Sequence, residues 1–132
     1  MAQVFSADAV NNTASQTVTS TTETTVALGN FVNPPFGNAK GYVEAYCTLT
    51  VGTGQTSVQV RIRRNPNAEN VVVAASGPLT ATAAAVAAFS IQAADAIPDG
   101  RPVQYALTVT QAGGAGNATV SFANISTTLI SG

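Results

Sequence analysis

The sequence predicts an all-β fold: a two-sheet antiparallel β-sandwich, or a related closed barrel, of about eight strands. Three observations lead there. Apolar and polar residues alternate with period two over several stretches, which gives each stretch one core face and one solvent face. Clusters of Gly, Pro and Asn separate these stretches at intervals of roughly 8–12 residues. β-Branched Val and Thr are abundant, and no stretch reads as a long helix.

The chain has 132 residues, which suits one domain with a sizeable core. Residues 1–15 are expected to form an N-terminal arm or edge strand, and residues 16–132 a single sandwich domain. Val4 and Phe5 make a short apolar patch in the arm. Residues 16–28 are dense in Thr, with Val18, Val26 and Leu28 as apolar points. They read as one or two strands, with a Thr-rich linker as the alternative. Residues 29–39 read as a loop, because Pro34 and Pro35 cannot donate to a ladder. Phe31 and Phe36 lie on it, either tucked into the core or offered to a neighbouring subunit.

Alternation is sharpest between Gly41 and Asn65. Val43, Ala45, Cys47, Leu49 and Val51 share one face of the first run, with Tyr42, Glu44 and Tyr46 on the other. Val58, Val60 and Ile62 share one face of the second run, with Arg61 and Arg63 opposite. Gly52-Thr53-Gly54 joins the runs, so a β-hairpin with one dry and one wet face is expected. Val71–Ala75 reads as a buried strand or one crossing between sheets. Residues 86–93 alternate, which favours strand over the short Ala-rich helix that 81–88 would allow. Pro98-Asp99-Gly100 marks a turn. Val103, Tyr105, Leu107 and Val109 share a face of the next strand, and Gly113–Asn117 reads as a second hairpin loop. In 118–130 the apolar set Ala118, Val120 and Phe122 slips to Ile125, as a β-bulge near Ala123 and Asn124 would cause.

Only 8% of residues are charged, against roughly 25% in ordinary soluble domains. Disorder does not follow, because apolar residues are plentiful and periodic. The surface must instead be built from Thr, Ser, Asn and Gln, which suits packing against other chains. Net charge is −1 and there is no His, so neither a basic field for nucleic acid nor a polybasic membrane patch is expected. The chain begins at Met1 without a basic and apolar leader, so synthesis in a host cytoplasm with no signal peptide is expected.

The residues offer no catalytic centre, and we expect a protein that is not an enzyme and carries no cofactor. A nucleophile needs a base, and His is absent. Cys47 alternates onto a dry face and reads as a small core residue. No Cys or His cluster could hold zinc, and a loop calcium site using Asp95 and Asp99 is the weak remaining metal reading. The glycine-rich segments join strand to strand, whereas phosphate cradles need a following helix. Arg61, Arg63 and Arg64 are the one charge cluster. They read as a solvated sheet face, or as a docking patch that pairs carboxylates of an acidic partner.

The strand pair YVEAYCTLTV and TSVQVRIRR, the IPDG turn and the closing VQYALTVTQAGGAGNATVSFANIS belong to a small, charge-poor chain rich in Thr, Ala, Val and Gly. In this style the chain resembles the decoration, or cement, proteins of tailed bacteriophage capsids, over about residues 16–130. The resemblance implies a jelly-roll-like fold similar to the tumour-necrosis-factor and C1q heads. It also implies a trimer bound to the major capsid protein on the outside of the virion. Candidate capsid or subunit contacts are Val4, Phe5, Tyr42, Glu44, Tyr46, Arg61, Arg63 and Arg64. The alternative is a receptor- or carbohydrate-binding head of a phage fibre or tail protein, using Tyr42, Glu44 and Tyr46 or the glycine-rich loops.

Overall fold

The computed structural model of the chain describes residues 4–19, 22–34, 39–51, 56–81, 85–97, 101–112 and 117–131. Ten strands account for most of them: β1 (Val4–Asn12), β2 (Gln16–Val18), β3 (Thr24–Leu28), β4 (Ala39–Thr50), β5 (Thr56–Arg64), β6 (Val71–Ala75), β7 (Leu79–Ala81), β8 (Val86–Ala96), β9 (Tyr105–Ala112) and β10 (Ala118–Ser131). They form two 5-stranded antiparallel sheets. The first runs β1-β10-β4-β8, with β2 also on β10. The second runs β3-β9-β5-β6, with β7 also on β5.

Two of the ten strands are continuations. β1 and β2 follow one another antiparallel along β10, and β6 and β7 do the same along β5. Ser76 spans the second break: its N–H donates to the Val60 carbonyl at 2.9 Å and its Oγ accepts from the Val60 N–H at 3.1 Å. Counted this way the chain has the eight strands of a jelly roll, two sheets with the chain passing between them at most connections.

The dry faces meet between the sheets. Leu49, Ile62, Tyr105, Leu107, Ile125 and Leu129 are among the largest fully buried side chains. Burying an aliphatic side chain of this size contributes roughly 1.5–3 kcal/mol. The alternation read in the sequence is the one observed in β4, β5 and β8, and the Ala-rich 86–96 segment is strand rather than helix.

Four expectations change. The segments 42–51 and 56–63 do not form a hairpin: β4 lies in the first sheet and β5 in the second. Their dry faces oppose one another across the core. Their wet faces therefore lie on opposite sides of the molecule, and Tyr42, Glu44 and Tyr46 do not share a surface with Arg61 and Arg63. β9 and β10 likewise lie in different sheets and do not form a hairpin. The hairpin that does form is β5–β6, across a turn bracketed by Asn65 and Asn70 at φ 50 and 54; Asn tolerates this left-handed conformation. Val71–Ala75 is an edge strand with Val71 and Val72 exposed, not a buried one.

The β10 bulge also lies earlier than expected. Val120 pairs Leu49 and Phe122 pairs Thr48, so Ser121 is the extra residue. Its hydroxyl lies 3.0 Å from that of Thr48. The slip turns Phe122 outward, where its ring meets Tyr46 with centroids 6.1 Å apart, and Ala123 takes the core position. Gly52-Thr53-Gly54, Pro98-Asp99-Gly100, Gly113–Gly116 and Phe36 lie outside the described residues.

Candidate functional site

The first sheet presents a broad outer face. Tyr42 and Tyr46 project from β4, 48% and 40% exposed, with Glu44 exposed between them. Strict alternation puts them there, because Val43, Ala45 and Cys47 face the core. Phe122 leans on Tyr46 from β10. Towards β8 a shallow depression of about 170 Å³ is lined by Tyr42, Glu44 and Gln92. Val4, 61% exposed, and Phe5 begin the strand at the far edge of the same sheet.

The three arginines of β5 are engaged inside the chain. Arg61 donates through Nη1 to Glu23 Oε1 at 2.8 Å and through Nη2 to Gln59 Oε1 at 2.7 Å. Arg63 grips the same Glu23 with Nε and Nη2 and reaches the Asn70 carbonyl with Nη1 at 3.0 Å. Arg63 and Arg61 pair across the ladder with Ala106 and Thr108, which are buried although they point away from the core. The ion-paired arginines roof that part of β9. The Arg63 hydrogen bonds, with the charge of both arginines, hold the Glu23 carboxyl at about 2, well below the usual carboxylate range.

Arg64 follows Ile62 on the dry face and points between the sheets. Its Nη1 donates to both oxygens of Asp95, at 2.7 and 2.9 Å, and its Nε donates to Glu69 at 2.9 Å. The Tyr105 hydroxyl donates to Asp95 Oδ2 at 2.7 Å. Asp95 comes from β8, so the cluster joins the two sheets at one end of the sandwich. Burial, then the hydrogen bond to Asp95, raises the Tyr105 phenol far above its ordinary value. The ring lies over Gly41: a Cβ there would come within 2.5 Å of the Tyr105 hydroxyl oxygen.

This arrangement redefines several sequence candidates. The bidentate carboxylate pairing foreseen for an acidic partner of Arg61, Arg63 and Arg64 is made with Glu23 and Asp95 of the same chain. A partner reaching these guanidiniums would have to displace those carboxylates. The Asp95 carboxylate, considered above for calcium, is occupied by Arg64 and Tyr105. Among the described residues no group of three His, Cys, Asp or Glu is placed to hold a metal ion. Cys47 is fully buried, and burial pushes its thiol up to about 11, so it is inert as a nucleophile at neutral pH. The sequence reading missed the Arg64–Asp95–Tyr105 cluster. Its signal was present: all three residues, and Gly41, fall on the dry parity of their strands.

A groove of about 530 Å³ opens at the same end, lined by Phe31, Asn67, Glu69, Arg101, Pro102 and Val103. Phe31 is 61% exposed there.

No protein-family model matches the chain, and no curated protein sequence is significantly similar to it. Solved structures do share its fold. A chain of the infectious bursal disease virus Gx strain structure superposes with a TM-score of 0.55 at 12% identity, over 96% of this chain and 37% of that one. A chain of the T13 particle of the same virus gives 0.58 at 10% identity, over 98% and 34%. The present chain thus spans about a third of the length of the virus proteins it matches. A chain of the disulfide-linked pili of Bacillus endospore appendages gives 0.41 at 14% identity, over 99% and 89%. The likeness to the virus chains is one of fold.

Proposed function

We propose that this chain is a structural virion protein that acts by binding rather than catalysis. In the fuller form of the proposal it is a bacteriophage decoration protein, a trimer on the outer surface of the capsid that stabilises the shell. The observation that carries the reading is the strand order β1/β2-β10-β4-β8 over β3-β9-β5-β6/β7, the jelly roll whose superposition on icosahedral virus chains extends over nearly the whole of this chain. A charge-poor surface adds support, since it costs little to bury between subunits. Binding only to the assembled shell would stabilise that shell by mass action. Neither nucleic acid nor membrane is proposed as a partner.

The outer face of the first sheet is the contact surface we favour. Tyr42, Glu44 and Tyr46 are exposed on a rigid sheet, whereas the β5 arginines are occupied within the chain. Val4 and Phe5 extend that sheet's edge. Tyr residues bring large contact area with little conformational freedom to lose. The test is co-sedimentation of the purified protein with capsids, with light scattering to fix its oligomeric state. Binding that is lost in Tyr46→Ala, together with a trimeric mass, is the expected result. A protein that stays monomeric at high concentration and ignores capsids overturns the proposal. The half-exposed tyrosines flanking Glu44 also favour a second reading, a receptor- or glycan-binding head. A glycan-array signal lost in Tyr46→Ala, without capsid binding, would select it.

A further inference from the structure

The four edge strands of the sandwich are not equally protected. A sheet edge offers unpaired N–H and C=O groups to any extended chain, and proteins blunt edges with breaks, bulges, charges and prolines. The β1/β2 edge is interrupted between Asn12 and Gln16, shifts register between Val4 and Ser6, and carries Asp8, which accepts from Asn30. The β3 edge is five residues long and shifts register between Thr25 and Ala27. Its Val26 carbonyl is taken by the Asn12 and Gln16 side-chain amides. The β6/β7 edge is broken at Ser76-Gly77-Pro78.

β8 has none of these devices. It runs 11 residues, VAAFSIQAADA, in unbroken register with β4. Among the described residues no strand pairs with its other side. It contains no proline, and its one charged residue, Asp95, turns inward to Arg64. The Val51 N–H donates to the Ala85 carbonyl and the Ile97 N–H to the Ala39 carbonyl, so odd-numbered residues address β4. Antiparallel alternation then directs the N–H and C=O of Val86, Ala88, Ser90, Gln92 and Ala94 outward along the edge. Only at the end does a side chain intrude, where Arg64 reaches the Ala96 carbonyl at 3.4 Å. Val86 is 78% exposed, and Val71, Val72 and Leu79 of the β6/β7 edge add exposed apolar surface.

We propose that β8 is a strand-pairing seam that takes a second copy of this chain, antiparallel across a two-fold axis. The strand is complementary to itself. Reversed about Ile91, Ser90 meets Gln92 of the second copy and Ala88 meets Ala94, so neutral residues face one another, polar against polar and small against small, and no like charges oppose. Phe89 falls opposite Ala93, large against small. Isologous contacts require this kind of self-complementarity, and main-chain pairing at an exposed edge supplies both affinity and register. The seam joins two copies of the first sheet into one and aligns their Tyr42 and Tyr46 faces. The seam does not depend on the capsid proposal.

The test is sedimentation velocity across a concentration series, with residue-resolved amide exchange. The expected result is a doubling of the smallest assembly as concentration rises, with the outward amides of residues 88, 90, 92 and 94 exchanging more slowly. Ser90→Pro removes an outward donor without touching the β4 ladder and should weaken association by about tenfold or more. The double variant Ser90→Lys with Gln92→Lys, which keeps every backbone donor and sets like charges directly opposite one another across the seam, should do the same, while Ala7→Lys on the β1 edge leaves association unchanged. A wild type whose smallest assembly does not double with concentration, or with concentration-independent exchange at these amides, overturns the proposal. So does association unaffected by the Ser90→Lys, Gln92→Lys double variant when it is folded. Capsid binding is scored separately, so loss of the seam and loss of the virion role give different patterns.

Discussion

The two open sides of the sandwich are built on different principles. On the β1/β2–β3 side, polar side chains stitch one sheet to the other: Asn12 and Gln16 reach the Val26 carbonyl, and Asp8 receives the Asn30 N–H and amide. On the β8–β6/β7 side, apolar residues are exposed along the flank and the sheets are tied by the Arg64–Asp95–Tyr105 cluster at one end. The first side spends its polar groups on closing itself. The second leaves a long neutral edge open, which is costly in aggregation risk unless something pairs with it. The difference separates residues that hold the fold from residues available for assembly.

Breaking the cluster should have the largest effect. Asp95→Ala leaves the Arg64 guanidinium, whose side chain is 12% exposed, with Glu69 as its remaining carboxylate, and strips Tyr105 of its acceptor. Removing one partner of a buried ion pair costs about 3–5 kcal/mol, and the surviving Glu69 contact places this variant near the lower end. Urea denaturation would measure it. A loss below about 1 kcal/mol, the range of a surface pair, would show that the cluster does not hold the two sheets together.

Gly41→Ala tests the same end from the neighbouring strand, where Gly41 is the register partner of Asp95. Its Cβ would sit 2.5 Å from the Tyr105 hydroxyl oxygen and 3.1 Å from Cζ, so the ring must move and its bond to Asp95 is disturbed. Overpacking of this kind costs about 1–3 kcal/mol. Rescue by Tyr105→Phe in the Gly41→Ala background, through the vacated hydroxyl, would assign the loss to this contact.

These residues also show where the sequence was legible. Period-two alternation is local, so the buried faces of β4 and β5 could be read from the order of residues alone, Val43 to Leu49 and Val58 to Ile62. Pairing is not local. A dry face is satisfied equally by a hairpin packed on another sheet or by two strands facing each other across the core. The Gly52-Thr53-Gly54 punctuation does not distinguish these, and β4 and β5 belong to different sheets. Arg64 shows a different limit. Parity with Ile62 put it inside, but only Asp95 and Tyr105 arriving from distant strands make a buried guanidinium tolerable. Phe122 was misassigned because the bulge at Ser121 precedes it rather than following it, and a one-residue slip reverses a residue's side of the sheet.

Acid should weaken the roof over β9. The Glu23 carboxyl is held at about 2 in the folded chain, chiefly by Arg63, against 4.5 ordinarily. The folded value is the lower one, so its contribution is complete above about pH 4.5 and is lost as pH falls towards 2. Taken at face value that difference is about 3 kcal/mol. With the Glu23 side chain 23% exposed, solvent screening should reduce it to about half. Denaturation midpoints of wild type and Glu23→Gln should therefore differ at pH 6 and converge near pH 2. A gap that does not shrink with acid would refute the assignment.

The stitches on the guarded side should matter least to stability and are the sharpest control on the comparison. Gln16→Ala removes a 2.8 Å bond to the Val26 carbonyl, yet Asn12 still donates to that oxygen at 3.2 Å. The expected loss is about 0.5–1 kcal/mol, that of one partly exposed hydrogen bond. The double variant Asn12→Ala with Gln16→Ala leaves the carbonyl without either amide and should cost more than the sum of the single changes, because each amide covers for the other. If the two sides differ as argued, this pair lowers the denaturation midpoint and leaves self-association unchanged. Ser90→Pro should instead weaken self-association with a smaller change in monomer stability. Association that fell with the stitches as much as with Ser90→Pro would mean that the two sides are not separable.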